Sequence, residues 1–262
     1  DPHGVESRKA HRLRRREYHC PGPNITWHAD GNDKLKLYGF PIHGCIDGFS
    51  RKVMLLYVTR SNNNPDNIAA YYLDAVREYG GCPRELNTDL GTENGKMAGI
   101  HSFFMNNVDS HKYVSSPRNQ RIEACWAFLR RNWSTWWINL LKDLIEREKL
   151  NTGNPLEKEC LWFCFSSLIQ SDLDRVQESW NTHYIRRSRY ETVCGRPNVI
   201  NSLPEYHGGT GNLIVQVPEQ ELEYANSQLV EKEDDNEYQR YFNHVANILH
   251  LEPPTHWTFL NN

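Results

Sequence analysis

The stretch from Pro41 to Thr59 limits what this chain can fold into more than any other. Pro41–Asp47 and Lys52–Thr59 are extended apolar runs separated by Gly48-Phe49-Ser50, the pattern of a β-hairpin. The second run, KVMLLYVT, is apolar at consecutive rather than alternate positions. It therefore needs cover on both faces and is expected to be a central strand. Before it, beyond the break at Pro21-Gly22-Pro23, Asn24–Asp30 reads as a shorter strand with Ile25 and Trp27 on one face. Such a sheet requires helices from the remainder of the chain to cover it.

The remainder supplies them. Asn64 is placed to cap a helix with Pro65 in its first turn, and Ile68, Ala69, Tyr72, Leu73 and Val76 form a helical stripe that stops at Gly80-Gly81. Pro83–Thr88 is then a strand ending in the turn Asp89-Leu90-Gly91. Gly95–Met105 reads as a short helix, His111–Val114 as a short strand, and Ser115-Ser116-Pro117 as a stop. A helix is expected from Asn119 to about Leu150 with a break near Asn132, and a second from Pro155 to about Tyr184, with Leu161, Phe165, Leu168 and Leu173 inward. Past Arg196-Pro197 the pattern weakens to one strand-like run, Leu213–Val217, and a helix over Tyr238–Leu249. The expected fold class is α/β: a five-stranded mixed sheet flanked by helices, with a helical C-terminal extension. The expected organisation is a basic arm (1–22), a core with its helical extension (23–200), and an acidic, partly ordered tail (201–262).

Length and composition narrow the functional classes. The chain has 262 residues, the size of one large domain with extensions. At 38% hydrophobic and a mean hydropathy of -0.75, it has no run near the roughly 18 apolar residues of a membrane span. The basic residues at the start have no apolar stretch behind them, unlike a secretory signal. An intracellular protein with its seven cysteines reduced is expected. The net charge of -3 conceals an asymmetry. Six basic residues and no acidic one lie between Arg8 and Arg16, including Arg12, Arg14, Arg15 and Arg16, while eight acidic residues lie between Glu219 and Glu237 against Lys232 alone. The arm is either a phosphate-binding element or a solvated linker, and the tail a solvated end. Gly4–Arg16 has the look of an interdomain linker, so a further segment is expected ahead of it.

Three acids sit where chemistry can gather. Asp30 ends the first strand, Asp89 follows the strand after the first helix, and Glu123 lies one turn into a long helix. Neighbouring strand ends with a helix alongside can bring three carboxylates close to one point, where they repel unless a divalent cation neutralises them. Oxygen donors alone select Mg²⁺ or Mn²⁺ over zinc. The convergence itself is not legible from spacing.

Four segments carry a resemblance: Trp27-His28-Ala29-Asp30-Gly31, Ile42–Ser50, Thr88-Asp89-Leu90-Gly91-Thr92-Glu93-Asn94, and Asn119-Gln120-Arg121-Ile122-Glu123 with Trp126. Together, within Tyr18–Pro197, they resemble the integrase core domain of the DDE recombinases, and more closely the integrase core domain-containing proteins of animal and fungal genomes. The resemblance implies a ribonuclease H-like fold and a catalytic, metal-binding triad of Asp30, Asp89 and Glu123. It implies two Mg²⁺ or Mn²⁺ ions per site, about 3.5 to 4 Å apart, one activating water or a DNA 3′-hydroxyl and the other stabilising the leaving oxygen. It further implies element-end and target DNA as partners, self-association, no membrane, and nuclear localisation. The expected function is a metal-dependent polynucleotidyl transferase that nicks DNA and joins 3′-hydroxyl ends to a target. A domesticated non-catalytic DNA-binding or protein-interaction module on the same fold, and a structure-specific nuclease, are the alternatives.

The sequence departs from the family in places. Only 33 residues separate Asp89 from Glu123, slightly fewer than is typical of retroviral integrases, and Leu90 stands where many carry Asn. His19 and Cys20 lack the second pair an N-terminal zinc module needs, and the acidic tail does not read as a basic barrel. Arg118, Arg121, Arg130 and Arg131 either meet phosphates flanking the scissile one or form a solvated basic face, with Ala127, Arg130 and Ser134 sharing the face of Glu123. Glu93 and Asn94, within a turn of Asp89, either cap a helix or, with Asn119, support the triad from behind. Asp47 is expected to serve its turn, His28 the strand, Cys160 and Cys164 the core, and Trp126, Trp133, Trp136 and Trp137 a core or a subunit interface.

Overall fold

The protein is described from a computed structural model covering residues 18–114, 119–187, 193–230 and 236–251. Three strands open the fold: β1 (Thr26–Asn32), β2 (Ile42–Asp47) and β3 (Val53–Val58), paired antiparallel in succession. Helix α1 (Pro65–Tyr79) follows, with the Asn64 side chain accepting from the Asp66 N–H, Pro65 in the first turn, and Gly80 closing the helix at φ 71°. That positive φ is why a glycine ends the helix. Strand β4 (Glu85–Thr88), helix α2 (Gly95–Met105) and strand β5 (His111–Tyr113) come next, and β4 and β5 run parallel to β1. The sheet order is β3-β2-β1-β4-β5.

The hairpin's apolar arm is thus an edge strand, not the central one its composition suggests. The central position belongs to β1. What makes an apolar edge tolerable is a long helix laid along it. After α3 (Gln120–Leu129) and α4 (Thr135–Glu146), helix α5 (Pro155–Thr182) presents an amide stripe to β3. Gln170 accepts from the Val58 N–H and donates to Leu56 O, both at 3.0 Å. Asn181 accepts from the Val53 N–H at 2.8 Å and donates to Val53 O at 3.0 Å, joined there by Gln177 at 3.3 Å. Positions 170, 177 and 181 share one helix face. The edge groups that would otherwise recruit another strand are bonded to side chains.

Each sheet face has its own core. A register shift between Cys45 and Ile46 marks a bulge opposite Val53–Leu55, so Met54 and Leu55 both join one face while Val53, Leu56 and Val58 join the other. Trp27, Ala29, Cys45 and Leu86 pack with α1 on the first face. Ile42, Ile46, Ile122, Trp126, Trp133 and Trp137 pack with α3, α4 and α5 on the second.

Two local expectations change. The break near Asn132 is a π-helical turn over Arg130–Ser134, which leaves Arg130 exposed and Ser134 buried, so the two do not share a face. Leu213–Val217 is no strand of the sheet: Val215 makes an isolated bridge to Cys82, and Val215 and Val217 pack against the core on the α1 face. Pro21 and Pro23 accept hydrogen bonds from Thr210 and Leu213, tying the start of the core to the segment after α6 (Pro197–Ser202). Helices α7 (Glu219–Ser227) and α8 (Glu237–Leu249) follow, and α8 is held to α5 by Gln239 donating to Glu159 at 2.7 Å.

Candidate active site

Asp30 lies near the end of β1 and pairs across the ladder with Gly44 of β2. On the other side β1 runs parallel to β4 with His28 opposite Asn87. Carried two residues further, that register brings Asp89, just past β4, beside Asp30 at the carboxyl ends of two parallel strands. Alternation puts both side chains on the face that α3 covers. Helix α3 carries Glu123 in its first turn and Trp126 one turn on, and the Trp126 indole N–H donates to Asp30 Oδ2 at 2.9 Å. The three acids therefore lie toward one end of the sheet, with Asp89 and Glu123 near enough to act on Asp30 electrostatically. Burial, with added repulsion from Asp89 and Glu123, pushes the Asp30 carboxyl up to about 6, against the indole that favours its anion.

Among the described residues no group of three or more His, Cys, Asp or Glu side chains, these three acids included, is close enough together to hold a metal ion. The donor set nevertheless suits a hard divalent cation. It is three carboxylates with no thiolate or imidazole among them, and one has its charge opposed by burial and by the other two.

A directed hydrogen-bond chain holds the two elements together. Asn119, which is 1% exposed and precedes α3, donates to Ala29 O at 3.3 Å. That fixes its Oδ1 as the acceptor for His28 Nδ1 at 2.9 Å, which leaves His28 Nε2 to accept from the Tyr18 hydroxyl at 2.8 Å. Burial lowers the His28 imidazole to about 4, so it is neutral as this chain requires. Tyr18 is not singled out in the sequence, and His28, part of the first motif, is expected there to serve the strand rather than to bond Asn119 and Tyr18. His28 sits two residues before Asp30 on the same face, which is the one signal that pointed to it.

The remaining residues singled out in the sequence fall in varied places. Asn94 donates to Asp89 Oδ1 at 2.7 Å, while the Glu93 carboxylate turns back against Gly91. Arg130 and Arg131 are exposed in the π turn following α3. Arg121 is not part of an open basic face: its guanidinium lies 4.3 Å from the Tyr18 ring centre and is half-buried. Arg12, Arg14, Arg15, Arg16 and Arg118 lie outside the described residues. Asp47 is fully buried and accepts from the Asn24 N–H and from the Ser50 N–H and hydroxyl, a turn-forming role. The seven cysteines are free thiols, with Cys160 exposed and Cys164 half-buried. Trp126, Trp133 and Trp137 are core residues and Trp136 is half-exposed.

The five-stranded mixed sheet flanked by helices, in this strand order, is ribonuclease H-like. No curated protein matches the chain in sequence. Among solved structures, a chain of the simian T-cell lymphotropic virus intasome in complex with PP2A regulatory subunit B56 gamma is similar at 14% identity and a TM-score of 0.49. That match covers 78% of this chain and 61% of that one, so the chain spans about three-fifths of that relative's length. The HTLV-2 integrase catalytic core domain in complex with magnesium is similar in its trimeric form at 16% identity and a TM-score of 0.42, over 66% of this chain and 96% of that one. Its dimeric form gives 16% and 0.40, over 65% and 96%. The integrase core domain family model matches residues 17–195, which is most of the chain and includes all three acids and the segments that position them, and the chain belongs to that family.

Proposed function

We propose that the chain is a metal-dependent polynucleotidyl transferase that nicks DNA and joins DNA 3′-hydroxyl ends to a target strand. The observation that carries this reading is that Asp30 and Asp89 lie at the carboxyl ends of the parallel strands β1 and β4, with α3, bonded to Asp30 through Trp126, carrying Glu123 alongside. In this reading these three residues hold Mg²⁺ or Mn²⁺, two ions per site. When bound, the ions activate the attacking oxygen and stabilise the leaving one, so the protein need form no covalent intermediate. The protein's own part is positioning. Asn94 orients Asp89, the His28–Asn119 chain sets α3 against β1, and the exposed Arg130 and Arg131 meet phosphates beside the scissile one. Leu90, 79% exposed beside Asp89, offers that DNA an apolar contact in place of a polar one. Element-end and target DNA, assembly into multimers and action in the nucleus belong to the same proposal.

The test is Mn²⁺-dependent strand breakage and rejoining on a branched DNA that mimics a joined intermediate, comparing wild type with Asp89→Asn. Reaction by the wild type alone is expected. A folded wild type that binds the DNA and leaves it intact favours the non-catalytic module instead, and breakage without rejoining favours a nuclease.

A further inference from the structure

Asp30 is half-buried, yet among the described residues no cationic side chain is bonded to it; its side-chain partner is the indole of Trp126. Two features of the surroundings show that this contact is built in. Trp126 follows Glu123 by three positions on α3, so one hydrogen bond links the helix of one acid to the strand of another. The ring is accommodated only because the residue opposite Asp30 is glycine. A Cβ on Gly44 would lie 2.6 Å from Trp126 Cη2 and 3.3 Å from Leu56 Cδ1. A glycine inside a strand weakens it and commonly marks close approach by another group. Here that group is a rigid ring, 7% exposed, whose far end is pinned to Asp30, so it cannot swing aside for a methyl.

We propose that Trp126 is a positioning residue for Asp30, and that Gly44 is the gap in β2 that admits its indole. The chemistry suits the task. An indole N–H is a donor only and is uncharged, so it fixes a carboxylate without supplying a rival positive charge. It takes one lone pair of Oδ2 and leaves the rest of the carboxylate for a cation. A lysine or arginine there would satisfy Asp30 and compete with the cation for it. The inference rests on the reading of Asp30, Asp89 and Glu123 as a divalent-cation site.

The experiment measures Mn²⁺ binding to the full chain by water-proton relaxation, for wild type, Asp89→Asn, Trp126→Phe, Gly44→Ala and the Gly44→Ala/Trp126→Phe double variant. Alongside it, the indole N–H resonances are followed during a Mg²⁺ titration, with the Trp126 signal assigned by its loss in Trp126→Phe. Wild type is expected to bind Mn²⁺ in a manner that Asp89→Asn abolishes. Trp126→Phe should weaken binding about tenfold or more, the usual effect of removing a residue that orients a metal ligand. Gly44→Ala should weaken it comparably, and the double variant no further, because both changes break the same contact. A merely structural role would add the two losses. The Trp126 indole signal should shift with Mg²⁺ in wild type and stay fixed in Asp89→Asn. Trp126→Phe binding Mn²⁺ as tightly as wild type overturns the inference alone. Absence of any Asp89-dependent binding in wild type overturns the cation site and the inference with it. Should a variant fail to fold, an indole signal in wild type that ignores Mg²⁺ while Mn²⁺ still binds overturns the inference.

Discussion

Asp30 shows most plainly what a single residue contributes and what can be read of it in advance. Its carboxyl, raised from 3.8 to about 6, holds a proton more tightly in the folded chain than in the unfolded one. The stability this provides is complete below about pH 4 and is lost as pH rises through about 6. Asp30→Asn removes that loss. Without divalent ions, the Asn variant should match wild type at acid pH and melt at a higher temperature above pH 6. The gap should open between those limits in a thermal-melt series. Buried His28, His43 and His101, each lowered to about 4, act with the opposite sign over the same range, so only the difference between the two chains reports on Asp30. A gap that does not vary with pH contradicts the account. The three acids are singled out by motif and order in the sequence. Their partner Trp126 was not, because its role depends on Asp30 facing Gly44, and cross-strand pairing is not written in either segment alone. The setting of Arg121 was not legible for a similar reason: nothing near it in sequence signals the Tyr18 ring that lies against it.

At the scale of elements, β3 and α5 form the most informative pair. Consecutive apolar residues correctly indicate that β3 is buried on both faces, but composition cannot distinguish a central strand from an edge covered by a helix. The side chains that cover it, Gln170, Gln177 and Asn181, lie more than a hundred residues away. Asn181 is 4% exposed and satisfies both backbone groups of Val53. Asn181→Leu leaves a buried N–H without its acceptor, at a cost of about 1 to 3 kcal/mol. A lower urea midpoint is expected, together with concentration-dependent association through the uncovered edge, read by light scattering. An unchanged midpoint would show that α5 does not protect β3. The helix boundaries themselves were readable, because Asn64-Pro65, Gly80 and Asn154-Pro155 act locally through caps and a left-handed turn.

For the whole molecule, two cores sandwich a sheet whose central strand carries Asp30, and the helix that roofs one core carries Glu123. Fold and candidate site are therefore linked: the α3 packing that buries Ile122, Cys125 and Trp126 also sets Glu123 near enough to Asp30 to act on its carboxyl. The class of fold was legible because helix and strand periodicities alternate along the chain. The docking of Pro21–Pro23 against Thr210–Leu213 was not, since it depends on contacts between segments of no distinctive pattern. The central claim is that Asp89 and its two partners ligate the ion used on DNA, and exchanging ligand softness tests it most directly. On the branched DNA, rates are compared for wild type, Asp89→Cys and Asp89→Ser with Mg²⁺ and with Mn²⁺. A thiolate is a poor ligand for Mg²⁺ and a better one for Mn²⁺. The account predicts that Asp89→Cys is silent with Mg²⁺ and recovers with Mn²⁺, while Asp89→Ser is silent with both. An Asp89→Cys chain that keeps the wild-type rate in Mg²⁺ would contradict it.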